Sequence, residues 1–174
     1  MPRVRSEPPI YTFRVRILGG FYAPENARDI WREIEIAANQ TLGDLGEAIP
    51  LAFDFDDPHL WSFFLSGKPW DRATEYALDS TPDPLGGLLG SRHPRPHAAK
   101  RVRIREVPFP GATGKKEFLF LFDYGDEWHF GVKLVRTSDT VAPDAQYPRV
   151  TASHGEAPPQ YPDLDGDEDW EAES

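Results

Sequence analysis

The stretch EFLFLFDYGDEWHFGVKLVR, residues 117–136, determines how the rest of the chain is interpreted. Two apolar, aromatic runs flank a short polar segment around Gly125, which is the pattern of two β-strands joined by a tight turn. Successive residues of a strand point to opposite sides, which groups Phe118, Phe120, Phe122 and Tyr124 against Leu119, Leu121 and Asp123. Because both groups are mainly apolar, we expect this hairpin to lie at the centre of a sheet.

The polar segment between the two runs has two interpretations. In the structural one, Gly125 takes the positive φ that a tight turn requires, and Asp123 and Asp126 accept hydrogen bonds from the backbone. Trp128 then anchors the core. In the functional one, Asp123, Asp126 and His129 form a site for a divalent metal, because carboxylates and imidazole are suitable ligands. The spacing matches no named metal motif, so the structural interpretation is favoured.

Further strands are predicted from the same kind of alternation. In YTFRVRIL (11–18), apolar residues occupy every odd position, whereas Thr12, Arg14 and Arg16 lie on the other face. In IWREIEIAA (30–38), Ile34 and Ile36 point inward. The predicted strands are YTFRVRIL (11–18), IWREIEIAA (30–38), HLWSFFLSG (59–67) and KRVRIREV (100–107).

One helix is predicted between the second and third of these strands. Thr41 is a good N-cap and Asp44 follows three residues later, close to a capping box. The helix covers residues 42–53, and Pro50 is expected to bend or end it. A hairpin, a crossing helix and further strands predict an α+β fold, namely a β-grasp-like domain in which one main helix crosses a mixed sheet.

The composition restricts the possible classes of function. The chain has 174 residues and no cysteine, which excludes disulfides, zinc–cysteine sites and thiol catalysis. No run of residues approaches the ~18 apolar residues of a membrane helix, and no signal peptide is evident. We therefore expect a cytoplasmic protein without a membrane partner.

The charge is distributed unevenly along the chain. The formal net charge is −10. Residues 139–174 hold ten acidic side chains and one basic one, Arg149, so the acidity belongs to the C-terminal part. We predict a flexible arm over residues 1–9, a folded domain over 10–142, a proline-rich strap over 143–162 that packs on the domain, and a disordered acidic tail over 163–174.

Arginines on two predicted strands suggest a basic surface. If the strands are neighbours, this surface could contact phosphates without sequence specificity. Alternatively, the arginines pair with Glu33, Glu35 or the acidic tail. The nearly neutral body and the acidic tail argue against a dedicated nucleic-acid-binding protein. The arginines are Arg14, Arg16, Arg101, Arg103 and Arg105.

Three blocks of sequence together resemble the root-inducing-plasmid ORF-3-like family. They are IWREIEIAANQTLGDLGEAI (30–49), HLWSFFLSGKPWD (59–71) and FLFLFDYGDEW (118–128). The family contains bacterial and archaeal proteins, some labelled transposon passenger or resolvase-like, without an established activity. The resemblance covers roughly residues 11–165 and implies a β-grasp-like α+β domain. It implies no mechanism, and the sequence contains no serine or tyrosine recombinase motif.

The resemblance also assigns structural residues and exposes one departure. Many members resemble Asp-Phe-Gly-Asp-x-Trp-x-His at the turn, whereas here Phe130 stands at the histidine position and His129 precedes it by one residue. The residues that the resemblance implies to be structural are Trp31, His59, Trp61, Gly125, Trp128, Gly155, Pro158, Pro159 and Tyr161. The aromatic residues of the segment 147–162 also permit a groove for a peptide or small ligand.

The functional prediction is a non-enzymatic binding or interaction module with a protein or small-molecule partner. No cofactor is expected. One alternative is a metal-binding protein or metal-dependent enzyme that uses Asp123, Asp126 and His129 to hold a divalent metal. A second alternative is a nucleic-acid-associated accessory protein of a mobile element.

Overall fold

The structure, a computed structural model, describes residues 9–78, 95–110 and 116–162. Residues 1–8 of the predicted arm and the whole predicted tail, 163–174, lie outside these ranges. Eight strands form one mixed sheet in the spatial order β5-β4-β3-β6-β7-β1-β2-β8. Their bounds are β1 Ile10–Gly19, β2 Trp31–Ala37, β3 Trp61–Phe64, β4 Glu75–Ala77, β5 His97–Ala98, β6 Phe118–Phe122, β7 Trp128–Ser138 and β8 Arg149–His154.

The predicted α+β class is confirmed, since the described ranges contain one α-helix, α1 (Leu42–Ala52), beside this sheet. All strand pairs are antiparallel except β4–β5, which is parallel. The apolar side of α1, including Leu42, Leu45 and Ile49, packs into the main core with the aromatic residues of the sheet. Within the described residues, no helix is long and apolar enough to cross a membrane.

The central hairpin is confirmed as β6 and β7, and these are the fourth and fifth strands of the sheet. Phe118, Phe120 and Phe122 lie in the main core beneath α1. Leu119 and Leu121 are buried on the opposite side of the sheet, in a small second cluster with Phe64. Both faces of β6 are therefore buried, as its double apolar pattern predicts.

The helix begins as predicted and ends one residue before the predicted end, with Pro50 inside it. The Thr41 hydroxyl accepts a hydrogen bond from the Asp44 backbone N–H at 3.1 Å, and the Asp44 carboxylate accepts one from the Thr41 N–H at 2.8 Å. This is a complete capping box. Pro50 lies inside α1, and the helix ends two residues later at Ala52. A proline in the last turn removes only one internal hydrogen bond, which a short helix can tolerate.

The predicted strand KRVRIREV is wrong. Residues Ala99–Arg101 and Ile104–Glu106 form two short 3₁₀ helices, and only Arg103 makes an isolated bridge, to Thr41. The segment runs along the loop before α1, where Ile104 N–H donates to the Gln40 carbonyl at 2.8 Å. Its backbone groups are satisfied by that loop, so the alternation of arginine and apolar residues does not indicate a sheet.

The segment 143–162 contains the edge strand β8, which pairs antiparallel with β2. After β8 the chain turns at Gly155, where φ is +76° and a side chain would approach Ile30 too closely. Arg32 connects this segment to the helix. Its buried guanidinium donates to the carbonyls of Ala52, at the end of α1, and of His154 and Gly155.

Candidate functional site

The turn between β6 and β7 is organised by Asp123. One oxygen of its carboxylate accepts hydrogen bonds from the backbone N–H groups of Gly125 and Asp126, at 3.0 and 3.3 Å. The prediction that Gly125 takes a positive φ is wrong, because Asp123 (φ 61°) and Glu127 (φ 50°) take it instead. Aspartate tolerates this conformation better than most residues, since its short side chain bonds the local backbone.

Beyond the turn, two aromatic residues have different environments. Trp128 is fully buried and packs on Phe55 with ring centroids 4.7 Å apart, as expected of a core anchor. Tyr124 does not share the face of the β6 phenylalanines, because the chain leaves the strand at Asp123. Its hydroxyl bonds the Ser62 hydroxyl at 2.7 Å. Burial raises the pKa of Tyr124.

The structure separates the residues that the metal hypothesis groups together. Asp126 and His129 line a polar cavity of about 430 Å³ beside Phe21 and Arg28. Asp123 is absent from that lining, and its second carboxylate oxygen lies 3.4 Å from the His59 ring instead. In the part of the chain that the structure describes, no group of three acidic or histidine side chains could hold a metal ion. The metal site therefore stays a prediction without geometric support.

On the α1 side of the turn, Asp123 joins a cluster with His59, Asp57 and Tyr161. The Tyr161 hydroxyl donates to Asp57 at 2.6 Å, so the same hydroxyl oxygen accepts from His59 Nε2, also at 2.6 Å. This hydrogen bond to Asp57, followed by burial and by nearby carboxylates, strongly raises the pKa of Tyr161. The cluster joins the 143–162 segment to the loop after α1, since Gln160 also bonds the Asp57 backbone at both N–H and carbonyl.

A groove of about 340 Å³ begins at this cluster and extends along α1; we call it the acidic groove. Its floor is aromatic, and Gly46 lets α1 approach Trp61 so closely that a side chain at this position would overlap the indole. The apolar lining residues include Phe55, Trp61, Phe122, Pro50, Leu51 and Leu78, and the charged ones are Glu47, Asp56, Asp57 and Lys100 beside His59.

Carboxylates outnumber the single lysine at the acidic groove. Lys100 pairs with Glu47 at 3.1 Å, and both side chains are more than half exposed. Among the described residues, the Asp57 carboxylate accepts a hydrogen bond from Tyr161 and lies 3.5 Å from His59 Nε2, both at one oxygen, which leaves lone pairs available at the rim. An apolar cleft with a few convergent polar groups is the usual form of a small-ligand site, and this one has the volume of a small example.

The five predicted phosphate-binding arginines do not form one surface. Arg14 and Arg16 lie on β1 and pair with Glu33 and Glu117, at 2.7 and 2.6 Å, as the alternative interpretation anticipated in part. The other three lie on the 3₁₀ segment near α1, where Arg101, Arg103 and Arg105 are exposed. The sequence could not place them, because the supposed strand that carried them does not exist.

The remaining residues assigned a structural role have varied positions. Trp61 is buried at the groove floor, and Trp31 stacks on His154 with ring centroids 5.9 Å apart. Pro158 is half-buried and Pro159 is exposed. The sequence pattern does not single out Asp57 or Glu47 as possible ligand contacts. Only the acidic run DFDDPH (54–59), which follows the helix, could have drawn attention to this region.

Comparisons with known proteins give a family and a fold. A family model described as plasmid pRiA4b ORF-3-like protein matches residues 21–171. A crystal structure of a protein of unknown function, MM3350 from Methanosarcina mazei Go1, is similar, with a TM-score of 0.61 and 25% sequence identity. The similarity covers 87% of this chain and 72% of that one. No curated protein matches the chain.

Proposed function

The chain belongs to the plasmid pRiA4b ORF-3-like family, and from that premise we propose that it is a binding protein whose acidic groove takes a ligand with an apolar body and a positively charged group. A small amine and a basic side chain of a peptide both have this chemistry. The observation that carries the proposal is the combination of an aromatic floor with an excess of carboxylates at one rim.

Two features of the acidic groove support a binding role over catalysis. The apolar floor is made by rigid core residues, among them Trp61 and Phe122, so the groove is preformed and little entropy is lost on ordering it. The polar groups at the rim bond one another, as Tyr161 does with Asp57. Such an arrangement fixes the orientation of a ligand.

The proposal extends to two coarser properties of the protein. A cytoplasmic location is favoured by the absence of cysteine from the sequence. A β-grasp-like relationship is supported by α1 following directly on the β1–β2 hairpin and packing against the sheet.

Three six-carbon probes test the charge preference of the acidic groove: hexylammonium, hexanol and hexanoate, each titrated by NMR. We expect hexylammonium to bind about tenfold more tightly than hexanoate, because the two charges interact with the rim carboxylates with opposite signs. A blocked Leu-Lys dipeptide in a further titration distinguishes a peptide ligand from a free amine. Equal affinity for the ammonium and carboxylate probes would overturn the proposal.

A pair of variants locates the binding. Replacing Glu47→Gln and Asp57→Asn together removes two charges from the rim and keeps an oxygen acceptor for Tyr161. The matched control, Asp126→Asn with Glu127→Gln, removes two charges from the cavity on the other side of the turn. Hexylammonium binding should weaken several-fold only in the first variant. If the control weakens it equally, the acidic groove is not the site.

A further inference from the structure

The side of the sheet opposite α1 carries a second, chemically different surface. The register of four adjacent strands, β7, β1, β2 and β8, places outward residues side by side. Arg14 lies between Lys133 on β7 and Glu33 on β2. In the next row, Arg136, Thr12, Glu35 and Arg149 follow one another across the sheet. We call the positions occupied by Arg14, Arg16, Lys133, Arg136 and Arg149 the basic face.

Carboxylates on this side are fewer than cations. Glu33 is shared, because Arg14 and Arg136 bond its two oxygens at 2.7 and 3.2 Å. Arg16 forms a bidentate pair with Glu117, and Arg149 bonds Glu35 at 2.9 Å. Five cations thus face three carboxylates, and the Lys133 ammonium makes no ion pair with any described residue. The excess positive charge is fixed on a rigid sheet.

The pairs also orient the arginines. Burial alone would raise the pKa of Glu33, but hydrogen bonds from Arg14 and Arg136 outweigh it and lower the pKa. Each guanidinium offers five N–H donors and uses one or two of them on its carboxylate. The side chains remain between 34% and 52% exposed, so the other donors are available to solvent or to a ligand. Arginine held in this way suits phosphate oxygens.

From this arrangement we propose that the basic face binds the phosphate backbone of a nucleic acid, without reading its sequence. The complementary charge selects a polyanion. A membrane is disfavoured as the occupant, because the large exposed apolar side chains of the described chain, such as Val150 and Leu51, do not occupy outward positions of these strands. Residues 1–138, which include β7, β1 and β2, carry a net charge of only −1 of the total −10, so these strands do not belong to a strongly acidic part of the chain.

The experiment measures binding of a labelled oligodeoxythymidine of about 15 nucleotides, a length typical of single-strand binding sites, by fluorescence anisotropy across a salt series. The full-length protein should bind at low salt, with log affinity falling linearly as log salt rises. In the double variant Lys133→Ala, Arg136→Ala, the slope should decrease by about 0.7 for each lost phosphate contact. Arg14 still pairs with Glu33 in this variant, which protects the fold.

The matched control is Arg101→Ala with Arg105→Ala, which removes the same charge from exposed positions of the 3₁₀ segment. It should retain the wild-type slope. Thermal melting of both variants checks that they fold. The proposal is overturned if the wild type does not bind at low salt, if the control loses as much affinity as the basic-face variant, or if anionic lipid vesicles bind and the oligonucleotide does not.

Discussion

The two sides of the sheet carry an excess of opposite charges. On the α1 side, the carboxylates of the acidic groove surround a concave aromatic floor and exceed the neighbouring cations. On the outer side, the cations of the basic face exceed the carboxylates on an array of adjacent strands. Groups directly opposite each other on a sheet find partners across the strands, whereas groups at the rim of a groove retain free lone pairs. The concave acidic groove therefore suits a small cationic ligand, whereas the flat basic face suits an extended anionic one.

The largest expected effect is a loss of stability when one of two tryptophans, which lie on opposite sides of the sheet, is replaced by alanine. Trp61 is buried at the floor of the acidic groove, whereas Trp31 is half-buried beside the basic face, under Arg14 at 4.3 Å. Trp61→Ala should lower the free energy of unfolding by about 3–5 kcal/mol, as large core truncations do. Trp31→Ala should cost about 1 kcal/mol, mainly a lost cation–π contact.

Urea denaturation of the wild type and both variants measures these losses. Similar losses for the two variants would contradict the distinction between a groove whose floor belongs to the core and a basic face that lies on the surface of the sheet. A variant of Trp61 that does not fold would agree with the larger expected loss, and Trp61→Phe then supplies a smaller, measurable one.

A second test uses the acid sensitivity of the basic face. Glu33→Gln removes the charge that Arg14 and Arg136 share, and should cost about 1–2 kcal/mol at pH 7. The pKa of Glu33 in the folded protein lies below its ordinary value of 4.5. Its contribution is therefore complete above pH 4.5 and is lost as pH falls through the lower folded pKa.

The wild type and Glu33→Gln should therefore differ in stability at pH 7 and converge in strong acid. Denaturation curves at several pH values give the comparison directly. A constant difference between the wild type and Glu33→Gln at all pH values would remove the ionic explanation.

The smallest expected effect concerns Asp123, which lies between the two sides. Asp123→Asn keeps the oxygen that accepts from Gly125 and Asp126 and removes the charge near His59. Its stability should stay within about 0.5 kcal/mol of the wild type. Asp123→Ala loses the acceptor and should cost about 1 kcal/mol. Thermal or urea denaturation measures the stability of both variants. If Asp123→Asn loses as much stability as Asp123→Ala, the charge of Asp123 and not its hydrogen bonds to the turn stabilises the protein.

The sequence was informative wherever the pattern was local. The double apolar alternation of residues 118–122 predicted a central strand, and Thr41 with Asp44 predicted the start of α1, because both signals arise within a few residues. KRVRIREV misled for the same reason. Its alternation is real, but its backbone bonds to Gln40 and Ala38, and no local pattern shows such a distant partner.

Both proposed sites depend on long-range pairing and were therefore only partly predictable. The sequence indicates Arg14 as a candidate but not Lys133 or Arg136, since nothing in the sequence shows that β7 lies beside β1. Likewise, His59 and Tyr161 are separated by 102 residues and meet only because the 143–162 segment returns across the loop after α1. Chain topology, rather than side-chain chemistry, was the missing information.

Arg32 couples the last turn of α1 to the edge strand β8. Its guanidinium donates to the Ala52 carbonyl at the end of α1, to the His154 carbonyl at the end of β8 and to the Gly155 carbonyl that follows. If the edge strand separates from β2, this buried cation loses the His154 and Gly155 carbonyls, and a buried charge with fewer partners is costly. Opening of the sheet edge and fraying of the last helical turn should therefore occur as one cooperative event, so that hydrogen exchange at the two places reports a common opening.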